Sequence, residues 1–383
     1  MKYRKFGNLD WEASVLGFGA MRLPHREGEY SAILEDKATA ILHAAIDGGV
    51  NYIDTAQPYH RGESESFLGR ALKDGYRDRV RVVTKLPCWS VEKRDDFDRY
   101  FDEQMEKLQF DHLDFYLLHA LQRDWWDKMK DLGFLDWAER KMADGAITHI
   151  GFSFHDRLPL FKRIIDEYDN WTLTMVMCNY MDIDYQAGIE GVKYAVDNGL
   201  AVVAMEPLRG GLLAKEPPSD IRSIFDSAQT GRTPAEWALR WLWDRSDISV
   251  VLSGMSTIEQ LEQNLVSASE FEPDCMSDDE HELIRDVRSA YRSKALIPCT
   301  DCRYCMPCPQ GVAIPWVFEY FNMASVYEDP DAAREQYAFL GEKNAASLCN
   351  ACGKCEDLCP QHIGIIDALR EAHALLSVPA SDP

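Results

Sequence analysis

"KATAILHAAIDGGVNYIDTA", Lys37 to Ala56, is the stretch on which the fold turns. Its first part is amphipathic, with Ile41, Leu42, Ala45 and Ile46 on one side at helical spacing. Gly48 and Gly49 close it, as glycine commonly does at a helix C-terminus. Its second part, "VNYIDTA", is a short, mostly apolar run without regular alternation, which is how a strand covered on both faces of a parallel sheet reads.

The same alternation continues on both sides, from about residue 14 to residue 268. The strand candidates are "SVLGFG", "VNYIDTA", "VRVVTKL", "LDFYLLH", "AITHIGFS", "LTMVMCNY", "LAVVAME" and "ISVVLSG". Helical segments such as "DDFDRYFDEQMEKL", "IEGVKYAVDNG" and "TPAEWALRWLWD" lie between them. Eight strand–helix units in roughly 250 residues is the size of a (β/α)8 TIM barrel. A doubly wound sheet is disfavoured because no G-x-G-x-x-G follows the first strand. "YRKFGNLDWEAS" reads as a hairpin ahead of strand one.

The chain of 383 residues exceeds what one core usually serves, so a second, smaller domain is expected. Net charge is −23, from 64 acidic and 41 basic side chains, which disfavours nucleic acid and anionic membrane as partners. No stretch has the length of a membrane span, and the N-terminus lacks the apolar run of a secretory signal. Eleven cysteines without an export signal point to metal ligation in a reducing cytoplasm rather than to disulfides.

Eight of those cysteines fall in two runs near the end. Cys299, Cys302, Cys305 and Cys308 precede Pro309; Cys349, Cys352, Cys355 and Cys359 precede Pro360. The second run fits C-x2-C-x2-C-x3-C-P, the bacterial ferredoxin spacing, and the first is one residue shorter before its last cysteine. In that arrangement three cysteines wrap one cubane and the fourth ligates its neighbour. The expected sets are Cys299, Cys302, Cys305 and Cys359 for one 4Fe-4S cluster, and Cys349, Cys352, Cys355 and Cys308 for the other. Zinc is the rival, but structural zinc sites separate their cysteine pairs further. The expected layout is a barrel over 1–270, a linker and helix over 271–294, a mainly α-helical ferredoxin-like iron–sulfur domain over 295–376, and a tail over 377–383.

Polar residues stand at the ends of the early strands: Asp54 in "NYIDTAQPY", Tyr59 five residues on, Lys85 in "VVTK" and His119 in "DFYLLH". Barrel active sites gather at such C-terminal strand ends. Together the four form a chemical unit. A lysine beside a phenol favours the phenolate, an aspartate holds the lysine, and a histidine aims a carbonyl oxygen at the phenol.

With "GFGAMRLP", "YIDTAQPYHRGESESFLGRAL", "VVTK", "LLH" and "GFS" in this order, the chain resembles the aldo-keto reductases over about residues 1–270. As a whole it resembles the subgroup with a C-terminal ferredoxin-like domain. The resemblance implies a catalytic tetrad of Asp54, Tyr59, Lys85 and His119, with Tyr59 as proton donor. It also implies a cofactor site drawn from Gly19, Met21, Ser153, Met175, Met205, Gly254, Ser256, Gln260 and Asn264; Arg22 and Arg209 are nearby strand-end cations, for a cofactor phosphate or a surface ion pair.

The resemblance breaks at three cofactor positions. "GFSFH" keeps Ser153 but places Phe154 where the family has asparagine; Met175 replaces its glutamine, and Met205 its stacking tyrosine. "SGMSTIEQLEQN" offers no Lys or Arg for a ribose phosphate. Because clusters pass single electrons and nicotinamides pass hydride, the organic cofactor stays open between NAD(P)H and FMN.

The function expected is an oxidoreductase acting on a small carbonyl or alcohol, its clusters exchanging electrons with a redox partner such as ferredoxin. An iron–sulfur redox sensor on the same scaffold, and clusters that serve only as structural staples, are the alternatives. Trp125, Trp126, Phe134 and Trp137 follow strand four, and at least half of them are assigned to packing.

Overall fold

The computed structural model describes residues 1–271, 273–299 and 301–378. The chain divides into two compact units, Met1–Ala214 with Arg232–Ser277, and Lys215–Gly231 with the residues from Asp278 onward. This is not a single cut in the sequence. The excursion 215–231, inside the span expected for the barrel, and the helix Asp278–Ser293, expected in the linker, both cluster with the cysteine-bearing region.

The first unit is a closed barrel of eight parallel strands. They are β1 (Leu16–Gly19), β2 (Tyr52–Asp54), β3 (Arg81–Leu86), β4 (Leu113–Leu121), β5 (Ile147–Phe154), β6 (Leu173–Met177), β7 (Ala201–Met205) and β8 (Val250–Ser253). Each pairs with the next, and β8 closes on β1 through Val251 opposite Leu16. Helices follow the strands, from Glu35–Asp47 after β1 to Ile258–Glu270 after β8. Two of them start where the sequence supplies a cap: Thr233 and Thr257 accept from the backbone N–H of Glu236 and Gln260.

Alternate strand residues fill the lumen, among them Tyr52, Val83, Phe115, Leu117, Leu173, Met175, Val203 and Leu252. The packing leaves no space at Gly17, where a Cβ would fall 2.7 Å from Val250 and 2.8 Å from Leu252. The hairpin of Tyr3–Lys5 and Glu12–Ser14 closes the end where the strands begin. Its Phe6 ring lies 5.2 Å from Phe115 and 5.7 Å from Tyr52, and Arg4 donates to the carbonyls of Trp243, Arg245 and Ile248. The floor is shut, so the opposite end is the mouth.

Among the described residues the second unit is helical. Ser219–Ser227 packs on Asp278–Ser293, and Ile314–Val326 packs on Pro330–Leu340 and Ile365–Leu376. Lys294 bridges Asp220 (3.2 Å) and Glu328 (3.0 Å). The Asn322 side chain accepts from the Ile297 N–H (2.8 Å) and donates to its carbonyl (2.7 Å), pinning the segment that leads into Cys299. Of the expected tail over 377–383, residues 379–383 lie outside those described. Among the described residues no helix is long and apolar enough to cross a membrane.

Candidate active site and cluster sites

Three strands, β2, β3 and β4, bring Asp54, Lys85 and His119 to the mouth, and the loop after β2 folds Tyr59 over them. Lys85 is fully buried and its ammonium is shared three ways. It lies 2.7 Å from Asp54 Oδ2, and it donates to the Thr55 carbonyl at 2.9 Å and to the Tyr59 hydroxyl at 3.2 Å. The His119 ring stands edge-on to Tyr59 with centroids 6.1 Å apart. The four residues that the sequence groups as one chemical unit converge.

The loop is held by residues that sequence reasoning passed over. His60 and Arg61 both have positive φ (51° and 54°), a left-handed kink directly after Tyr59. The buried His60 ring locks it: Nδ1 donates to the Tyr30 carbonyl (2.6 Å) and Nε2 accepts from the Leu23 N–H (3.1 Å). Both nitrogens are thus satisfied by a neutral imidazole, and burial also lowers its pKa. Ser64 adds a bond to Thr55 Oγ1 (2.8 Å) and donates to the Ala20 carbonyl (3.1 Å). No local pattern announces His60; its role depends on β1 and the hairpin after it.

Burial sets the protonation states. It raises the Tyr59 pKa well above the phenol value, with Asp54 adding to the rise, so the hydroxyl keeps its proton at neutral pH. It lowers the His119 pKa well below the ordinary value, with Lys85 and His155 contributing, so this imidazole is neutral. Burial draws Lys85 and Asp54 toward their neutral forms, and their mutual ion pair opposes it in both. The result is a phenol with a cationic donor against its oxygen. That arrangement suits a general acid whose conjugate base must be stabilised as the proton leaves.

The expected cofactor residues separate into two groups. Arg22 lies along Gly254, where a Cβ would fall 3.1 Å from the Arg22 Cβ, and its guanidinium reaches over Gly210, 3.3 Å from where a Cβ would stand. A cationic side chain in a cradle that only glycine leaves open suits a ligand phosphate. Gly19, at the end of β1 opposite Asp54, and Met205, half-buried at the end of β7, also border the mouth.

The others have different surroundings. Arg209 pairs with Asp182 (3.0 Å), and Ser153 Oγ accepts from the Ala120 N–H (2.7 Å). Met175 is buried in the lumen, and Met21 is exposed. Ser256 donates to the Arg22 carbonyl (2.7 Å), Gln260 accepts from the Ser256 N–H (2.9 Å) and Asn264 donates to Ser253 (3.2 Å), all of which tie the β8 loop down. Phe154 points outward, its ring 5.0 Å from Phe161 in the outer core, so it contributes nothing to the mouth.

An aromatic wall flanks His119. Trp89, in the loop after β3 and 39% exposed, has its ring 5.0 Å from His119 and 5.8 Å from the half-buried Trp125. Trp126, Phe134 and Trp137 are buried in the outer core, with the indoles of Trp126 and Trp137 donating to Glu167 and Asp98. Three of the four aromatic residues after strand four are therefore packing.

In the second unit Cys299, Cys302, Cys305 and Cys359 line one cavity. Its walls are Ile314, Pro315, Phe318, Ile363 and Ile365, with Arg303 and Gln361 beside the thiols. Among the described residues no three His, Cys, Asp or Glu side chains converge on a point where a lone ion would sit. Four thiols around an apolar cavity are a donor set that fits a cubane. Of the other four, Cys308, Cys349 and Cys355 are half-buried and Cys352 is exposed. Cys88 and Cys178 are buried and Cys275 is exposed.

A model of the aldo/keto reductase family matches residues 15–288, and a model of a 4Fe-4S dicluster domain matches residues 298–363. L-galactose dehydrogenase of Arabidopsis thaliana is 26% identical over 294 residues, covering 71% of this chain and 89% of that protein. D-threo-aldose 1-dehydrogenase of a Pseudomonas species is 31% identical over 261 residues, covering 60% and 74%. Among solved structures, the holo form of an aldo-keto reductase from Bacillus halodurans superposes with a TM-score of 0.63 at 27% identity, over 75% of this chain and 96% of that one. An aldo-keto reductase from Klebsiella pneumoniae in complex with NADPH gives 0.58 at 25%, over 75% and 95%.

Proposed function

Since the chain belongs to the aldo-keto reductase family and ends in a region matching a 4Fe-4S dicluster domain, we propose that this oxidoreductase interconverts a small carbonyl and its alcohol at the barrel mouth. Lys85 carries the reading, its Nζ held at once by Asp54 (2.7 Å) and against the Tyr59 hydroxyl (3.2 Å). Tyr59 gives its phenolic proton to the substrate oxygen as the carbonyl carbon is reduced. Lys85 stabilises the phenolate that remains, Asp54 keeps Lys85 in place, and the neutral His119 aims the oxygen. The alcohol returns the proton along the same path in reverse. Trp89 and Trp125 offer the apolar face of the substrate a surface to pack on.

A nicotinamide dinucleotide, when bound, supplies or takes the hydride. We favour it over FMN because a relative was solved with NADPH and because Arg22, cradled by Gly210 and Gly254, suits a phosphate. Two of the family's carboxamide partners are replaced here, by Phe154 and Met175, so Arg22 and the mouth residues Gly19 and Met205 are the ones we assign to it. The eight cysteines would hold two clusters in the crossed sets given above. Each cluster would take one electron from, or return one to, a partner protein such as ferredoxin; the two-electron hydride step at the mouth balances without them.

Protein purified without air decides the matter. We expect iron and sulfide for two cubanes per chain, NADPH binding without flavin, and reduction of 4-nitrobenzaldehyde that Tyr59→Phe abolishes. Released FMN would overturn the choice of hydride donor, and full activity in Tyr59→Phe would overturn the catalytic reading.

A further inference from the structure

Behind Lys85, on the side of β3 that faces the helices, lies a second buried carboxylate. Glu65, on the helix Glu63–Ala71, has no solvent exposure. Thr84, the neighbour of Lys85 in β3, donates to its Oε1 at 2.6 Å. Gln104, on the helix Asp96–Leu108, donates to the same oxygen at 2.6 Å and to the Lys85 carbonyl at 3.1 Å. The Gln104 oxygen in turn accepts from the Tyr116 hydroxyl on β4 at 2.8 Å. The two helices are pressed together here: a Cβ on Gly69 would fall 2.4 Å from the Lys107 carbonyl oxygen.

Glu65 uses only one of its two oxygens. Oε2 is buried without a hydrogen bond, and Lys107 Nζ, its nearest cation, stands 4.0 Å away. Burying a carboxylate so poorly satisfied is costly: burial raises its pKa, against the bonds from Thr84 and Gln104 and the charges of Lys107 and Lys85. A glutamine would fill the same space and accept the same two bonds through its oxygen, so packing alone gives no reason for a charge at this position.

We propose that Glu65 is a positioning residue for the carbonyl reaction: its charge acts through Lys85 to keep the ammonium cationic against Tyr59, and its bonds through Thr84 and Gln104 fix the end of β3. The proposal rests on Lys85 being the partner of the catalytic phenol. Asp54, Tyr59, His119 and Glu65 are the titratable groups acting on Lys85. Glu65 itself is faced by Thr84 from β3, Gln104 and Lys107 from one helix and Tyr116 from β4. Burial pulls Lys85 toward its neutral form, and Asp54 opposes this most, with Glu65 adding to it.

The test is the titration of Lys85 in the full-length protein, purified without air and carrying 13C at lysine Cε. NMR reads it, with the resonance identified by its loss in Lys85→Met. In Glu65→Gln we expect Lys85 to titrate about one pH unit lower, the low end of what a nearby opposite charge does. The alkaline limb of kcat/KM for 4-nitrobenzaldehyde should move down with it. Thr84→Val, which removes a bond and keeps the charge, should lower Tm and leave the Lys85 titration in place.

An unchanged titration in Glu65→Gln overturns the proposal. So does a protonated Glu65 carboxyl at pH 7 in the wild-type protein, read from its own 13C resonance, identified by loss in Glu65→Asp. That measurement does not require the Gln variant to fold. If instead Tyr59→Phe were fully active, the catalytic reading would fail while the Glu65–Lys85 coupling would still be read directly.

Discussion

Replacing Lys85 by methionine separates two contributions of the buried ion pair. Both side chains are nearly solvent-free, 1% exposed for Lys85 and 4% for Asp54, with charges 2.7 Å apart. Methionine keeps most of the volume and removes the cation, leaving the Asp54 carboxylate buried and unpaired. Breaking a buried pair in this way costs about 3–5 kcal/mol, because the remaining charge has lost its partner. For a barrel of this size 1 kcal/mol corresponds to roughly 2–4 °C, so Tm should fall by about 10 °C or somewhat more.

The paired variant Asp54→Leu with Lys85→Met removes both charges and should recover most of the loss, since apolar replacement of a buried pair is often neutral or better. Carbonyl reduction should be lost in both. Thermal unfolding read on the barrel's tryptophans, with the clusters intact, measures all three proteins. A single-variant cost below about 1 kcal/mol, or a double variant no more stable than the single, would refute the reasoning.

Tyr59→Phe removes the proton donor alone, so 4-nitrobenzaldehyde reduction should drop by about 10²–10⁴-fold with Tm and NADPH binding nearly unchanged. Cys359→Ser should abolish the cluster that shares the cavity of Cys299, Cys302 and Cys305 and leave about half of the iron; loss of no iron would contradict the crossed assignment. Gly17→Ala places a methyl against Val250 and Leu252 in a filled lumen and should cost about 1–3 kcal/mol on the barrel transition. Burial lowers the pKa of His119, and that of His155 to about 4, so the unfolded chain binds protons there that the native barrel does not. Stability should therefore decline as pH falls from about 6.5 toward 4, and His155→Gln should flatten that decline in a series of Tm values against pH.

The strands were legible because a barrel strand is covered on both faces and its sequence is an apolar run. Where the boundaries differ, local bonding explains it. "LTMVMCNY" reads as strand through Tyr180, but β6 stops at Met177: the Asn179 side chain accepts from the N–H groups of Met181 and Asp182 and turns the chain. The gathering of Asp54, Lys85 and His119 was legible too, since each stands at or within two residues of a strand's C-terminal end and all barrel strands end at one mouth. The cofactor side was less so. Phe154 stands beside Ser153 in sequence, but the strand's two-residue period turns it to the outer core. Gln260 and Asn264 each make a bond near their own loop, a choice among hydrogen-bond partners that spacing does not encode. Nor does it reveal that residues 215–231 leave one unit to pack with the other, since their helix is as amphipathic as its neighbours.

The packed lumen, with Phe6 and its hairpin beneath it, leaves no passage through the barrel. With that end shut, every small molecule bound for Tyr59 enters through the opening by which the previous product left. Under the proposed carbonyl chemistry a hydride donor and a substrate share that one opening, so whichever binds beneath the other cannot leave before it. Steady-state kinetics should accordingly show compulsory-order addition, and release of the deeper ligand should limit turnover whenever the shallower one is abundant.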